Sequence, residues 1–351
     1  MSHASSVATQ HPYALETIPG LYSSRPGIQI GSQFAATATN EDLQFAQQLG
    51  IEWAMVNVND PAGHSVESYL ALRERFAAYG LQIYRLADHR CHNMTAVTLG
   101  LPGRDEQIER YLQYIRNLGA AGIRYATYAH MANGIWSSER EPIRGGAMSR
   151  AFRLEGSPVG TWAGEQYQGE ITHGRVYEED ELWDNFNYFI EQVVPVAEEA
   201  GVYIGIHPDD PPVHPLGGIP RCLFGSFDGY RRAIELADSP HIGMCLCVGC
   251  WIEGGDAMGR DVLDTIRYFG HQKKLFKIHL RNVTAPMPEG FVETFLDDGY
   301  RDMLQVIRAL DEVGFDGAII SDHLPQMVGG RRAAEAYSIG FMRAMVHAVQ
   351  G

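Results

Sequence analysis

The stretch Leu275-Phe-Lys-Ile-His-Leu-Arg-Asn282 decides the fold. Lys277, His279 and Arg281 alternate with apolar residues, the period of a strand with one polar face. Polar groups on the inward face of an apolar barrel are costly unless they are paired or coordinate something, so a salt-bridged layer and a bound ion are the two readings. The same grammar recurs elsewhere. Ile204-Gly-Ile-His-Pro-Asp-Asp, Ile242-Gly-Met-Cys-Leu-Cys-Val-Gly and Gly317-Ala-Ile-Ile-Ser-Asp-His each pass from apolar, β-branched residues to polar ones. His207, Cys247, His279 and Asp322 stand at the transitions. If the four runs are successive parallel strands of one barrel, these side chains converge at its carboxyl end, where such barrels build active sites. Imidazole, thiolate and carboxylate together suit a divalent transition metal, and the pattern points to a metalloenzyme.

Working outward, eight strand candidates appear, over residues 28–35, 52–58, 82–87, 124–130, 202–207, 242–248, 275–280 and 317–321. Helical periodicity fills the gaps. Asn40-Glu-Asp-Leu opens one helix, and others follow over residues 65–80, 106–119, 180–201, 228–237, 261–272, 302–314 and 332–349. Eight alternations are the repeat of a (β/α)8 TIM barrel. They exceed the roughly five or six strands of a doubly wound sheet, which with a second domain is the alternative architecture. Residues 27–351 therefore read as one barrel domain, and residues 1–26, which lack periodicity, as an amino-terminal tail or lid. Between the fourth strand and the fourth helix lies the insertion 132–179, far longer than an ordinary loop and expected to cover or line the active site.

Of the 351 residues 45% are apolar, enough for a large core, and the formal net charge is −15. That charge argues against nucleic-acid or anionic-membrane partners and leaves a small molecule as the partner class. The amino terminus lacks the basic start and apolar core of a secretory signal, and no run approaches the roughly 20 apolar residues of a membrane span. Five cysteines, an odd number, favour reduced thiols over a disulfide framework. A soluble, cytoplasmic homo-oligomer is expected.

Each motif has a blander reading. A lone histidine at a strand end is more often structural than a ligand, but Pro208, Pro211 and Pro212 stiffen the segment that presents His207, Asp209 and Asp210. In Cys245-Leu-Cys-Val-Gly-Cys250 no second cysteine pair follows to close a structural zinc site. Cys247 is the ligand candidate; Cys245 and Cys250 read as small buried hydrophobes. Asp322 either orients His323 or binds metal beside it while His323 moves a proton. Asp302 reads as a helix cap, and Trp136 as packing before a sugar platform.

Taken together, Tyr111-Leu-Gln-Tyr-Ile-Arg-Asn-Leu-Gly-Ala-Ala-Gly-Ile, His207-Pro-Asp-Asp-Pro-Pro, Gly218-Ile-Pro-Arg, Cys247-Val-Gly, His279-Leu-Arg-Asn, Asp322-His323 and Ala336-Tyr-Ser-Ile-Gly resemble the bacterial mannonate dehydratase family over roughly residues 106–345. The resemblance implies a xylose-isomerase-like TIM barrel of hexuronate catabolism, with Mn2+ or a similar ion on His207, Cys247, His279 and Asp322. It implies acid/base roles for His323 and Tyr337, and substrate contacts from Arg281 and Asn282, with Asp209 of the proline-rich motif beside them. The implied reaction is loss of water from a sugar acid such as D-mannonate to give a 2-keto-3-deoxy acid. A proton leaves beside the carboxylate and a hydroxyl leaves one carbon further on, chemistry a divalent ion assists as a Lewis acid. The chain also departs from the family pattern. Ile320-Ser-Asp-His-Leu replaces Arg-Pro-Asp-His-Gly, so an Arg is absent around Ser321, and Leu296 stands where a His would. A metal-dependent isomerase, epimerase or lyase acting on another sugar derivative by enediolate chemistry is therefore the alternative, and a non-catalytic sugar-binding barrel a third reading.

Overall fold

The computed structural model describes residues 13–212 and 214–351. All eight expected strands form and close into one parallel barrel. They are β1 (Gln29–Ala35), β2 (Trp53–Val58), β3 (Gln82–Asp88), β4 (Tyr125–Tyr128), β5 (Tyr203–Ile206), β6 (Ile242–Cys247), β7 (Leu275–Leu280) and β8 (Ala318–Ser321). Around them run α1 (Asn40–Gln48), α2 (Val66–Ala77), α3 (Arg104–Ala120), α4 (Glu179–Ala200), α5 (Phe227–Ala237), α6 (Val262–His271), α7 (Met303–Glu312) and α8 (Gly330–Gln350). Every residue of β6 and β7 is buried, because helices cover the outer face while side chains fill the inner one. The helix starts follow capping chemistry. Thr39 and Asp42 form a reciprocal box at α1, and the Asp302 carboxylate accepts from the Leu304 amide at 2.8 Å, the cap read from the sequence.

Strand register sets the site. Cys247 on β6 pairs with His279 on β7, His279 with Ile320 on β8, and Leu280 with Ser321. The carboxyl ends of β6, β7 and β8 are therefore level, and Asp322 follows directly.

Of the first 26 residues, those from Tyr13 onward form a short hairpin, Tyr13–Ala14 against Tyr22–Ser23. Its Leu15, Ile18 and Leu21 bury against Trp53, Met55, Tyr84, Tyr125 and Phe276. Trp53 and Tyr125 open their strands, so the hairpin seals the amino-terminal mouth, opposite the site; residues 1–12 lie outside the described residues. The insertion folds into small antiparallel ladders rather than one open loop. Ile135–Ser137 pairs with Val159–Trp162, Glu141–Pro142 with Met148–Ser149, and Ala151–Phe152 with Phe291–Thr294 from the connection after β7. Two backbone hydrogen bonds between Met148 and Gln326 fasten it to the loop after β8. The insertion thus lies across the carboxyl end of the barrel. Among the described residues no helix is long and apolar enough to cross a membrane.

Candidate metal centre and active site

His207, Cys247, His279 and Asp322 meet. One donor atom from each lies within 4.8 Å of every other. Nδ1 of His279 is 3.2 Å from Asp322 Oδ1, the Cys247 thiol is 3.7 Å from Asp322 Oδ2, and the two imidazole centroids are 5.0 Å apart. His207 turns Nδ1 to the Pro208 carbonyl at 2.7 Å, which fixes the ring and leaves Nε2 for the site. Nε2 of His279 faces the Cys245 thiol at 3.4 Å, while its Nδ1 is buried without a hydrogen-bond partner.

The electrostatics are those of donors around a cation. Burial disfavours ionisation of Cys247, yet the Cys250 contacts and the Arg281 guanidinium outweigh it and hold the thiol well below its usual range. Asp322 is likewise held low, against burial, by His279 and His323. His279 is pushed up in turn, burial opposing and Asp322 and Cys245 prevailing. A thiol and a carboxyl so biased toward their anionic forms, together with two imidazoles, make an N2SO donor set suited to a divalent ion.

Deeper in the barrel, Lys277 lies 5.9 Å from the Tyr125 ring, and burial draws its pKa down to about 8. The polar face of β7 is thus divided. His279 joins the donors, Lys277 stays in the interior, and Arg281 enters an ion cluster.

That cluster adjoins the quartet. Arg281, only 2% exposed, meets Asp210 at 3.0 Å, Glu253 at 2.8 Å, Glu293 at 3.3 Å and Asp322 at 3.2 Å. Arg150 from the insertion reaches Asp210 at 2.5 Å and Glu293 at 2.8 Å. Nδ1 of His323 bonds Glu293 at 2.7 Å, leaving Nε2 3.9 Å from Asp322. Burial works against the charged imidazole, but Glu293 and Asp322 prevail and raise its pKa above the ordinary range. His323, Asp322, Glu293 and Arg150 line a cavity of about 1040 Å3, walled by the insertion, β1 and the start of α8.

Other expected residues are placed elsewhere. Asn282 braces the backbone, donating to the Leu296 and Arg301 carbonyls at 3.0 and 2.8 Å. Asp209 pairs with buried Arg221 at 3.4 Å. Tyr337 lies on the exposed side of α8, its hydroxyl 3.3 Å from Arg144 and its ring against Phe295. None of these three lines the cavity. Trp136 is buried and donates to Asn133, which makes it packing. Cys245 and Cys250 are buried as expected but not as inert hydrophobes, since each thiol contacts His279 or Arg281. Sequence reasoning missed Arg150, Glu253 and the role of Glu293. The apolar and polar alternation of Phe291-Val-Glu-Thr was the available signal for Glu293.

A closed parallel barrel with such a mouth is a TIM barrel of the xylose-isomerase-like class. The xylose isomerase domain protein of Planctomyces limnophilus shares that fold, with a TM-score of 0.62 at 13% identity over 93% of this chain and 99% of that one. A narrower relationship follows from sequence. The profile of the D-mannonate dehydratase (UxuA) family matches residues 35–173 and 163–351. The mannonate dehydratase of Streptococcus pneumoniae (strain 70585) is 33% identical over 309 residues, 83% of this chain and 82% of that one. Mannonate dehydratase 2 of Halalkalibacterium halodurans is 29% identical over 319 residues, 85% and 90%. The crystal structure of mannonate dehydratase from Streptococcus suis serotype2 matches with a TM-score of 0.80 at 27% identity, covering 93% and 94%. The chain belongs to the D-mannonate dehydratase family, and with it to the hydro-lyases.

Proposed function

We propose that this protein eliminates water from D-mannonate or a closely related sugar acid to give a 2-keto-3-deoxy acid, using a divalent ion, Mn2+ foremost, held by His207, Cys247, His279 and Asp322. The observation that carries the reading is the convergence of those four donors beside His323, which Glu293 anchors at the cavity wall. The ion, when bound, supplies Lewis-acid polarisation of the substrate carboxylate and so acidifies the adjacent C–H bond.

The remaining work falls to side chains. The proton lost from carbon passes to a base, and hydroxide, a poor leaving group, takes up a proton as it departs, so that water is released. His323 is built to give one: Glu293 anchors its Nδ1, and the ring lines the cavity. Arg140 and Arg331 line the same cavity and make no ion pair with any described residue, so they remain available to an anionic substrate. Tyr337, held by Arg144, does not contribute to the geometry on which this reading rests. Incubating Mn-loaded protein with D-mannonate and related hexonates tests it. Accumulation of a 2-keto-3-deoxy acid is expected. An interconverting pair of sugars with no loss of water would indicate an isomerase or epimerase instead.

A further inference from the structure

Asp210, Cys250 and Glu253 form a second group whose ligand atoms lie within 4.8 Å of one another. All three are buried, Glu253 fully, and neither Glu253 carboxylate oxygen finds a well-directed hydrogen bond. Two carboxyl groups and a thiol at such spacing make a cation cage. A side chain already occupies it. Nη2 of Arg281 is 2.8 Å from Glu253 Oε1, 3.0 Å from Asp210 Oδ2 and 3.1 Å from Cys250 Sγ. The other terminal nitrogen, Nη1, lies 3.2 Å from Asp322 Oδ2 and 3.0 Å from His323 Nδ1. The backbone makes room for this side chain, because a Cβ on Gly249 would sit 2.1 Å from Arg281 Nε and 2.7 Å from Arg281 Cβ.

We infer that Arg281 is the resident second cation of this site, filling a cage otherwise competent for a metal, and that Glu253 is a positioning residue acting through Arg281 on Asp322 and His323. A buried carboxylate stripped of its positive partner is strongly destabilising, and Arg281 supplies such a partner to both Asp210 and Glu253. A guanidinium differs from an ion in being planar and forked. One end enters the cage while the other fixes the rotation of Asp322 and, 3.3 Å from Glu293, the carboxylate that anchors His323. A lysine presents one nitrogen and does not span both. The roles given to Asp322 and His323 rest on the metal-centre reading above; the cage itself does not.

The test is elemental analysis after equilibration with Mn2+ or Zn2+ and removal of free ion, with steady-state kinetics on D-mannonate alongside. The parent is expected to retain one ion per chain and Arg281→Ala two, and Arg281→Ala combined with Glu253→Gln returns to one. Glu253→Gln alone keeps one ion and loses kcat by about ten- to hundredfold at nearly constant KM, the usual scale for an outer partner of a metal ligand. Arg281→Lys preserves a charge in the cage, so it should fold, hold one ion and lose kcat as Glu253→Gln does. A single ion in folded Arg281→Ala overturns the cage. Parental kcat in Glu253→Gln or Arg281→Lys overturns the positioning role. A parent that retains no ion overturns the metal-centre reading instead, so the two failures are told apart.

Discussion

Nδ1 of His279 lies 3.2 Å from Oδ1 of Asp322 across the β7–β8 pair, an ion-pair contact without well-directed hydrogen-bond geometry. Buried polar groups seek well-directed partners, and a carboxylate, a thiol and two imidazoles gathered so closely suit a shared cation. The same arrangement separates the roles of neighbouring residues in the chain. Asp322 turns to the donors while His323 turns to Glu293 and the cavity.

Replacing His323 with Asn should leave the metal content unchanged and lower kcat by about 10²–10⁴-fold, the range for loss of a positioned acid or base. Parallel metal analysis and turnover measurements check this. Turnover within about threefold of the parent would remove His323 from the proton transfer.

Arg140 and Arg331 are exposed and unpaired at the cavity wall. Arg140→Ala and Arg331→Ala should each raise KM for a hexonate by about three- to tenfold with kcat unchanged, as expected when an interaction common to ground and transition states is lost. Initial-rate kinetics decide, and unaltered KM in both variants would take the arginines out of substrate binding.

Ile18 is fully buried beneath the barrel. Ile18→Ala should cost about 2–4 kcal/mol by leaving a cavity against the strand starts, seen as a lower denaturation midpoint, with metal content unaffected because the hairpin lies at the opposite mouth. A midpoint equal to the parent's would mean that the hairpin does not stabilise the fold.

Asp316 accepts from the Glu16 amide at 3.3 Å where the hairpin docks, and burial pushes its carboxyl up to about 6 from an ordinary 3.8. A folded form that binds the proton more tightly than the unfolded chain loses stability as pH rises through that interval. Asp316→Asn has no proton to lose, so its melting temperature relative to the parent should climb between about pH 4 and 6 and level off above. A difference that does not vary with pH would contradict this.

The barrel was legible because each strand announces itself locally. Alternation along Leu275–Leu280 and the apolar-to-polar change at Cys247 or Asp322 are written in neighbouring residues, and parallel register then brings the ends together. His207, Cys247, His279 and Asp322 followed from that alone. What stayed hidden depends on contacts between distant segments. Arg150 reaches Glu293 only because Ala151–Phe152 pairs with Phe291–Thr294, and nothing in either stretch names the other. The resemblance implied a substrate contact for Arg281, and the cluster that Asp210 and Glu253 form around its side chain could not be read from the sequence. Tyr337 lies in a helix that the periodicity located correctly. Its side chain goes to Arg144 because the insertion, whose course the sequence did not reveal, brings that guanidinium within 3.3 Å.

The most direct measurement is the divalent-metal content of the purified protein and of its His279→Ala variant, determined side by side with circular dichroism of each. One ion per chain in the parent, and loss of that ion from a variant whose fold is intact, is the predicted result. Full metal content in the variant, or none in the parent after equilibration with Mn2+, would contradict the four-donor centre.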